Sequence, residues 1–191
     1  MKALAYCKMA FAGYGVELRP VTAWDLPSLR RWRNSPRIQR QMLDQSHIDP
    51  RRQRGWFESI SDRNDQAHWV LWRNNVRTGH VNIRAEGPLN PQKSVSGGYY
   101  VADTLVRHPI LGFSAVLMYH DIIFNHISAK NIEDTVLKTN LTARKMNQQM
   151  GYQEQGENDG VIKISLFPED YRQAKQKLIR YFKDATCVQM S

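Results

Sequence analysis

The stretch Gly97–Phe113, GGYYVADTLVRHPILGF, holds the residues best suited to gripping a phosphate. A strand ends near Val101, a loop follows, and a helix opens near Ile110–Gly112. A helix start offers unpaired amides and the positive end of its dipole, which suits a pyrophosphate. Arg107 and His108 lie just before that start and add donors. An ordinary strand–loop–helix connection with a chance arginine would look the same. A second stretch, TNLTARKMNQQMGY from Thr139 to Tyr152, reads as a short helix capped by Asn140 and stopped by Gly151. A third carries eight arginines between Arg30 and Arg54, against Asp44 and Asp49. Arginine grips phosphate bidentately, and Trp32 or Trp56 could stack on a base or sugar. A solvated basic face with both tryptophans in the core is the bland alternative.

These residues need positioning. VELRPV (16–21) reads as a strand. Thr22 with Asp25 approximates a capping box, and Leu26, Leu29 and Trp32 recur at helical spacing behind it. A second helix starts at Asp49–Pro50 and carries Trp56, Phe57 and Ile60. Strands are expected at His68–Arg73, Gly79–Ala85 and Val95–Val101, with a hairpin turn over Asn74–Gly79 and a Pro/Gly loop over 87–93. A helical stripe runs from Leu111 to Ile127. Strand Asn131–Lys138, helix Thr142–Met150, strand Val161–Phe167 and a last helix from Pro168 complete the order. The meander implies antiparallel pairing, and the strand–helix–strand unit around Leu111–Ile127 implies one parallel neighbour. The fold class is mixed α/β (α+β): a mostly antiparallel twisted sheet with helices on both faces.

Composition narrows the class. A length of 191 residues suits one domain with a substantial core. The division expected is an N-terminal extension (1–15) that adds an edge strand or stays loose, a domain (16–184) and a tail (185–191). The formal charge of +9 favours anionic partners: nucleic acid, an acidic membrane or phosphate-bearing metabolites. Two cysteines, Cys7 and Cys187, make neither a disulfide framework nor a zinc site, so no metal and a reducing cytoplasm are expected. No apolar run is long enough to span a bilayer.

Together the motifs resemble the GNAT N-acetyltransferase superfamily. Gly98-Tyr99-Tyr100-Val101 is similar to its central strand, and Arg107-His108-Pro109-Ile110-Leu111-Gly112 to part of its pyrophosphate loop. Asn140, Ala143, Met150, Gly151 and Tyr152 are similar to its later N-x-x-A…G-F segment. The resemblance implies acetyl-CoA as cosubstrate. It would be bound through Tyr100, Val101, Ala102, Arg107, His108, Leu111, Gly112, Phe113, Asn140 and Asn147. Two departures stand out. Ile110 replaces the family's first glycine, and Asn147 replaces a tyrosine thought to protonate the leaving thiolate.

The front end resembles a narrower branch that acetylates amino sugars linked to nucleotide diphosphates, as in pseudaminic acid biosynthesis for flagellin glycosylation. Trp32-Arg33-Asn34-Ser35-Pro36-Arg37-Ile38 and Trp56-Phe57-Glu58 carry that likeness. It implies Arg33, Asn34, Trp56 and Tyr99 at the acceptor. Amine acetylation needs a base, for which His80 and Glu86 are the candidates. It also needs oxyanion donors, for which amides near Tyr100–Ala102 are placed. A homodimer is compatible with this reading. Three rivals remain: a ribosomal-protein type or other amine acetyltransferase, a basic nucleic-acid-binding module, and a GNAT that binds coenzyme A without turnover.

Overall fold

A computed structural model describes residues 6–91, 93–102, 110–182 and 185–190. Among these, nine strands form one sheet: β1 (Phe11–Gly13), β2 (Val16–Pro20), β3 (Gln66–Arg73), β4 (Val76–Ala85), β5 (Ser94–Val101), β6 (Asn131–Leu137), β7 (Gln153–Asn158), β8 (Val161–Leu166) and β9 (Cys187–Gln189). Their spatial order is β7-β8-β6-β5-β4-β3-β2-β1-β9. All neighbours pair antiparallel except β5 and β6, which run parallel. The parallel pair is joined through helix α4 (Leu111–Asp121), as a crossover connection requires.

The front helices are α1 (Leu26–Arg33), α2 (Pro36–Gln39) and α3 (Pro50–Ile60). The box at Thr22 forms: the Asp25 carboxylate accepts from the Thr22 amide and hydroxyl, both at 2.8 Å. Asp49 caps α3 by accepting from the Arg52 amide at 2.8 Å. Leu26, Leu29, Trp32 and Ile38 pack with Val70 and Ala102 on one face of the sheet.

The other face carries the larger core. Helix α4 (Leu111–Asp121) is apolar nearly all round, with Ala115, Leu117 and Met118 fully buried. Such a helix belongs in a core. It is followed by a π-helical segment, Ile122–Ile127, that ends at Ser128 in the left-handed region (φ 58). The wider turn keeps Ile122, Ile123 and Ile127 buried. Helices α5 (Leu141–Met150) and α6 (Pro168–Leu178) complete this face, with Met150 and Tyr171 in its core.

Three expectations change. The β3–β4 turn is two residues, Asn74 (φ 49) and Asn75 (φ 59), and not six. Asparagine tolerates positive φ, so the tight hairpin closes and Val76–Thr78 join β4, with a bulge at Leu71/Trp72. The helix expected to run through Ile127 stops as α-helix at Asp121. Finally, the extension supplies a strand, β1, that lies inside the sheet edge, and the tail supplies β9 at that edge. Phe11 faces Leu18 and Gln189, and Phe11 is fully buried against Trp69.

Candidate active site

The sheet has a gap. β5 and β6 share only two register pairs, Ser94↔Asn131 and Val95↔Ile132. Beyond them β5 stays on β4 as far as Gly79↔Val101, and β6 stays on β8 as far as Leu137↔Val161. A cleft of about 950 Å³ runs through this opening. On one face it is lined by Arg33, Arg37, Arg52, Trp56, His68, His80 and Tyr100. On the other it is lined by Gly112, Tyr119, Asp134, Asn140, Asn147 and Tyr152.

Strand alternation decides which β5 amides reach the gap. The Ala102 amide donates to the Thr78 carbonyl at 2.7 Å, on the β4 side. The Gly97 amide donates to Asp134 Oδ2 at 3.0 Å, on the β6 side. The register has no shift between them. Tyr99 and Val101 therefore share the Gly97 side, and their N–H groups face the gap. Of the stretch Tyr100–Ala102 expected to supply oxyanion donors, Val101 turns its amide to the gap, while Tyr100 and Ala102 turn theirs to β4. Arg37 closes the far end by donating to the Val101 carbonyl at 2.8 Å.

The front arm holds an aromatic and basic cluster. His68 and His80 stack with centroids 5.4 Å apart, and Trp56 meets His68 edge-on at 5.2 Å. His80 also lies 5.6 Å from Tyr100. Burial pushes His68 down to about 4, helped by Arg84. Burial, then His68 and Arg33, push His80 well below its ordinary value. Both imidazoles are therefore neutral at pH 7. His68 Nε2 donates to Gln66 Oε1 at 3.0 Å, so its Nδ1 accepts from His80 Nε2 at 3.4 Å, and the lone pair left to the pair is that of His80 Nδ1. Arg33 donates from Nη2 to the Asp44 carbonyl at 3.1 Å. Its Nη1 is buried without a hydrogen-bond partner among the described residues.

The rear arm begins at the α4 start. Ser114 N bonds Ile110 O, the first α-helical bond of α4 among the described residues, so the amides of 111–113 belong to its first turn. Ile110 is right-handed helical (φ −77, ψ −13), so its branched side chain imposes no strain there. Leu111 is buried and Phe113 packs against the core, so backbone is what they offer a ligand. Gly112 faces Met146, whose Cε would stand 3.6 Å from an added Cβ. Asn140 caps α5 by accepting from the Ala143 amide at 3.1 Å. Asp134 accepts from the amides of Gly97 and Thr135, while burial raises its carboxyl above the usual carboxylate range.

Several expected site residues lie elsewhere. Glu86 sits on an exposed turn after β4, away from the cleft lining, where its carbonyl accepts from Lys93 Nζ. Asn34 is a clasp: its amide donates to the Ile48 carbonyl at 2.8 Å and accepts from the Ile48 amide at 2.9 Å. That ties the 40–49 loop to α1 and leaves Asn34 outside the lining. Tyr99, expected beside Arg33 and Trp56, packs instead near Tyr119 of α4, 6.4 Å between centroids. Tyr100, expected with the α4 start, packs beside His80 on the opposite face. Arg107 and His108 lie outside the described residues.

Sequence reasoning missed His68, Tyr119 and Asp134 as cleft residues, and reached Arg37 and Arg52 only as members of the arginine-rich stretch 30–54. Asp134 alone left a signal: it takes an inward position between buried Ile132 and Val136, where a carboxylate needs a reason.

Known proteins place this architecture. Structures sharing the fold include apo FdhC, described as a nucleotide-linked sugar GNAT (TM-score 0.75, 19% identity, covering 89% of this chain and 96% of that one). Spermidine N-acetyltransferase from Vibrio cholerae, solved with CoA and spermine, has a TM-score of 0.71 at 15% identity, covering 83% and 98%. Aminoglycoside acetyltransferase AAC(6')-Ib, solved with coenzyme A, has a TM-score of 0.67 at 18% identity, covering 83% and 98%. No curated protein sequence matches. A sequence profile described as the acetyltransferase (GNAT) domain matches residues 16–153. The chain belongs to the GNAT acetyltransferase family and is an acetyl-CoA-dependent N-acetyltransferase.

Proposed function

We propose that the acceptor is an anionic small-molecule amine, of which a nucleotide-diphosphate-linked amino sugar is the best-fitting class. The buried, unpartnered Nη1 of Arg33 in the front arm carries this reading. A buried guanidinium donor without a partner is costly, and a phosphate or carboxylate oxygen would relieve that cost. The cleft lining holds Arg33, Arg37, Arg52 and Arg84 against Asp44 and Asp134. Such a balance repels polycations, so polyamine and aminoglycoside acceptors fit poorly. Trp56 beside His68 supplies an apolar wall for a sugar or base. The likeness in fold to a nucleotide-linked sugar GNAT agrees with this reading, without bearing on specificity by itself.

In this reading the pantetheine arm lies on the α4–α5 face, with phosphates at the first-turn amides of residues 111–113. The thioester enters the gap, and the amides of Tyr99 and Val101 meet the oxygen that becomes negative. The amine approaches from the α1–α3 face. Neutral His80 accepts its proton, directly or through water. Holding both reactants across one opening contributes much of the rate. Neither Asn147 nor Asn140 is an acid, so no proton donor is assigned to the thiolate.

A thiol-release assay over matched acceptors tests the reading. UDP-linked amino sugars should turn over with a kcat/KM well above that of the free amino sugar, spermidine and kanamycin. Equal or better turnover of spermidine would overturn it.

A further inference from the structure

We propose that Asp134 is a positioning residue whose carboxylate keeps β5 and β6 apart, so that the gap stays open for the acyl donor. The inference rests on coenzyme A as the ligand of the rear arm and is independent of the acceptor.

The parallel ladder stops abruptly. After Val95↔Ile132 both strands continue for several residues on their outer neighbours, yet no longer on each other. Amides that leave the ladder at the fork need another acceptor, and a side chain can supply it. The Asp134 carboxylate does so for two. Oδ2 takes the Gly97 amide of β5 at 3.0 Å, and Oδ1 takes the Thr135 amide of β6 at 2.8 Å. A side chain therefore stands where the next rung of backbone bonds would form.

The partner strand is shaped for this. At Gly97, β5 lies so close on β4 that an added Cβ would sit 2.1 Å from the Asn82 carbonyl oxygen. The residue whose amide Asp134 holds is thus one where only glycine lets β5 keep its pairing with β4. Asp134 is also out of keeping with its surroundings: Ile132 and Val136, on the same side of β6, are buried and apolar. An apolar residue at 134 would fit that pattern and remove the acceptor that competes with strand pairing.

Two properties separate this role from others. A residue that only supports the fold would lower stability when replaced. A base acting on the amine would lower kcat and leave coenzyme A binding intact. A wedge predicts weaker coenzyme A binding in a protein that stays folded.

The test measures coenzyme A binding by titration calorimetry and stability by thermal unfolding for wild type, Asp134→Asn, Asp134→Val and Asp134→Ala. Asparagine keeps an oxygen acceptor and should bind within about threefold of wild type. Valine and alanine lack the acceptor and should bind about tenfold or more weakly, with melting temperatures not below that of Asp134→Asn. Alanine serves if valine fails to fold. Normal coenzyme A binding by Asp134→Val or Asp134→Ala overturns the proposal. So does an Asp134→Asn protein that binds as poorly as they do, since charge and not spacing would then be the requirement. Absence of coenzyme A binding by wild type would instead strike the donor assignment itself.

Discussion

Lowering the pH should unfold this protein through histidines buried without a charge, and His120 isolates the effect. His120 is fully buried on α4, with Nε2 2.9 Å from the Tyr152 hydroxyl. Its ring is enclosed by Tyr119, Phe124, Tyr152 and Tyr171. Burial pushes its pKa from 6.5 down to about 3. The unfolded chain therefore binds a proton below pH 6.5 that the folded chain refuses until about pH 3. The stability that depends on neutral His120 is complete above pH 6.5 and is lost as pH falls toward 3. Each pH unit inside that window costs about 1.4 kcal/mol, or about 2.7 kcal/mol from pH 6 to pH 4. Other groups titrate there too, His68 in the same direction and Asp134 in the opposite one. The comparison with His120→Gln removes them, because only one proton differs. Urea unfolding followed by tryptophan fluorescence at pH 6, 5 and 4 gives both slopes. The variant will be less stable at pH 7, having lost the ring packing. Its stability should nevertheless fall less steeply with acid, by about 1.4 kcal/mol per unit. Parallel slopes for the two proteins would refute the reasoning.

Three further outcomes follow from the site. Replacing Arg33 by alanine should raise KM for an anionic acceptor about tenfold to a hundredfold and leave KM for acetyl-CoA unchanged, as read from initial rates; an equal rise for both would contradict the placement of the two arms. Asn34→Ala should cost about 1–3 kcal/mol in urea unfolding through loss of the Ile48 clasp, with acceptor binding weakened and donor binding spared. Gly97→Ala should destabilise the protein by about 1–3 kcal/mol, since its Cβ would meet the Asn82 carbonyl; an unchanged unfolding midpoint would show that β5 can move aside.

The elements around the cleft were legible where one face of an element is buried. Leu26, Leu29 and Trp32 on α1, and Ile162 and Ile164 on β8, mark their elements because water and core impose a period. β7 was not legible: all six of its residues are exposed, so nothing in their hydrophobicity records a strand. β1 and β9, three residues each, were equally silent, because their pairing is decided by neighbours distant in sequence. The site was read less well than the fold. Arg33, Trp56 and His80 line the same face of the cleft. Asn34 misled because an amide that holds a loop and one that holds a ligand have the same residue type. Tyr99 and Tyr100 were exchanged because adjacent strand residues point to opposite faces, and which face is which depends on a register the sequence does not state. Asp134 was overlooked because its partner, the Gly97 amide, belongs to another strand.

The junction of β1 with β9 has a consequence for how the molecule assembles. Phe11 lies opposite Gln189 across nearly the whole chain, and the Met190 amide donates to the Ala10 carbonyl at 2.8 Å. Contacts so remote in sequence bear the largest loop-closure entropy and form once the intervening sheet has brought them together. This seam should therefore be the last to close on refolding and the first to exchange its amide hydrogens. With Phe11 and Trp69 beneath it, its opening would wet the core from that edge, making the seam a gauge of whether the fold is complete.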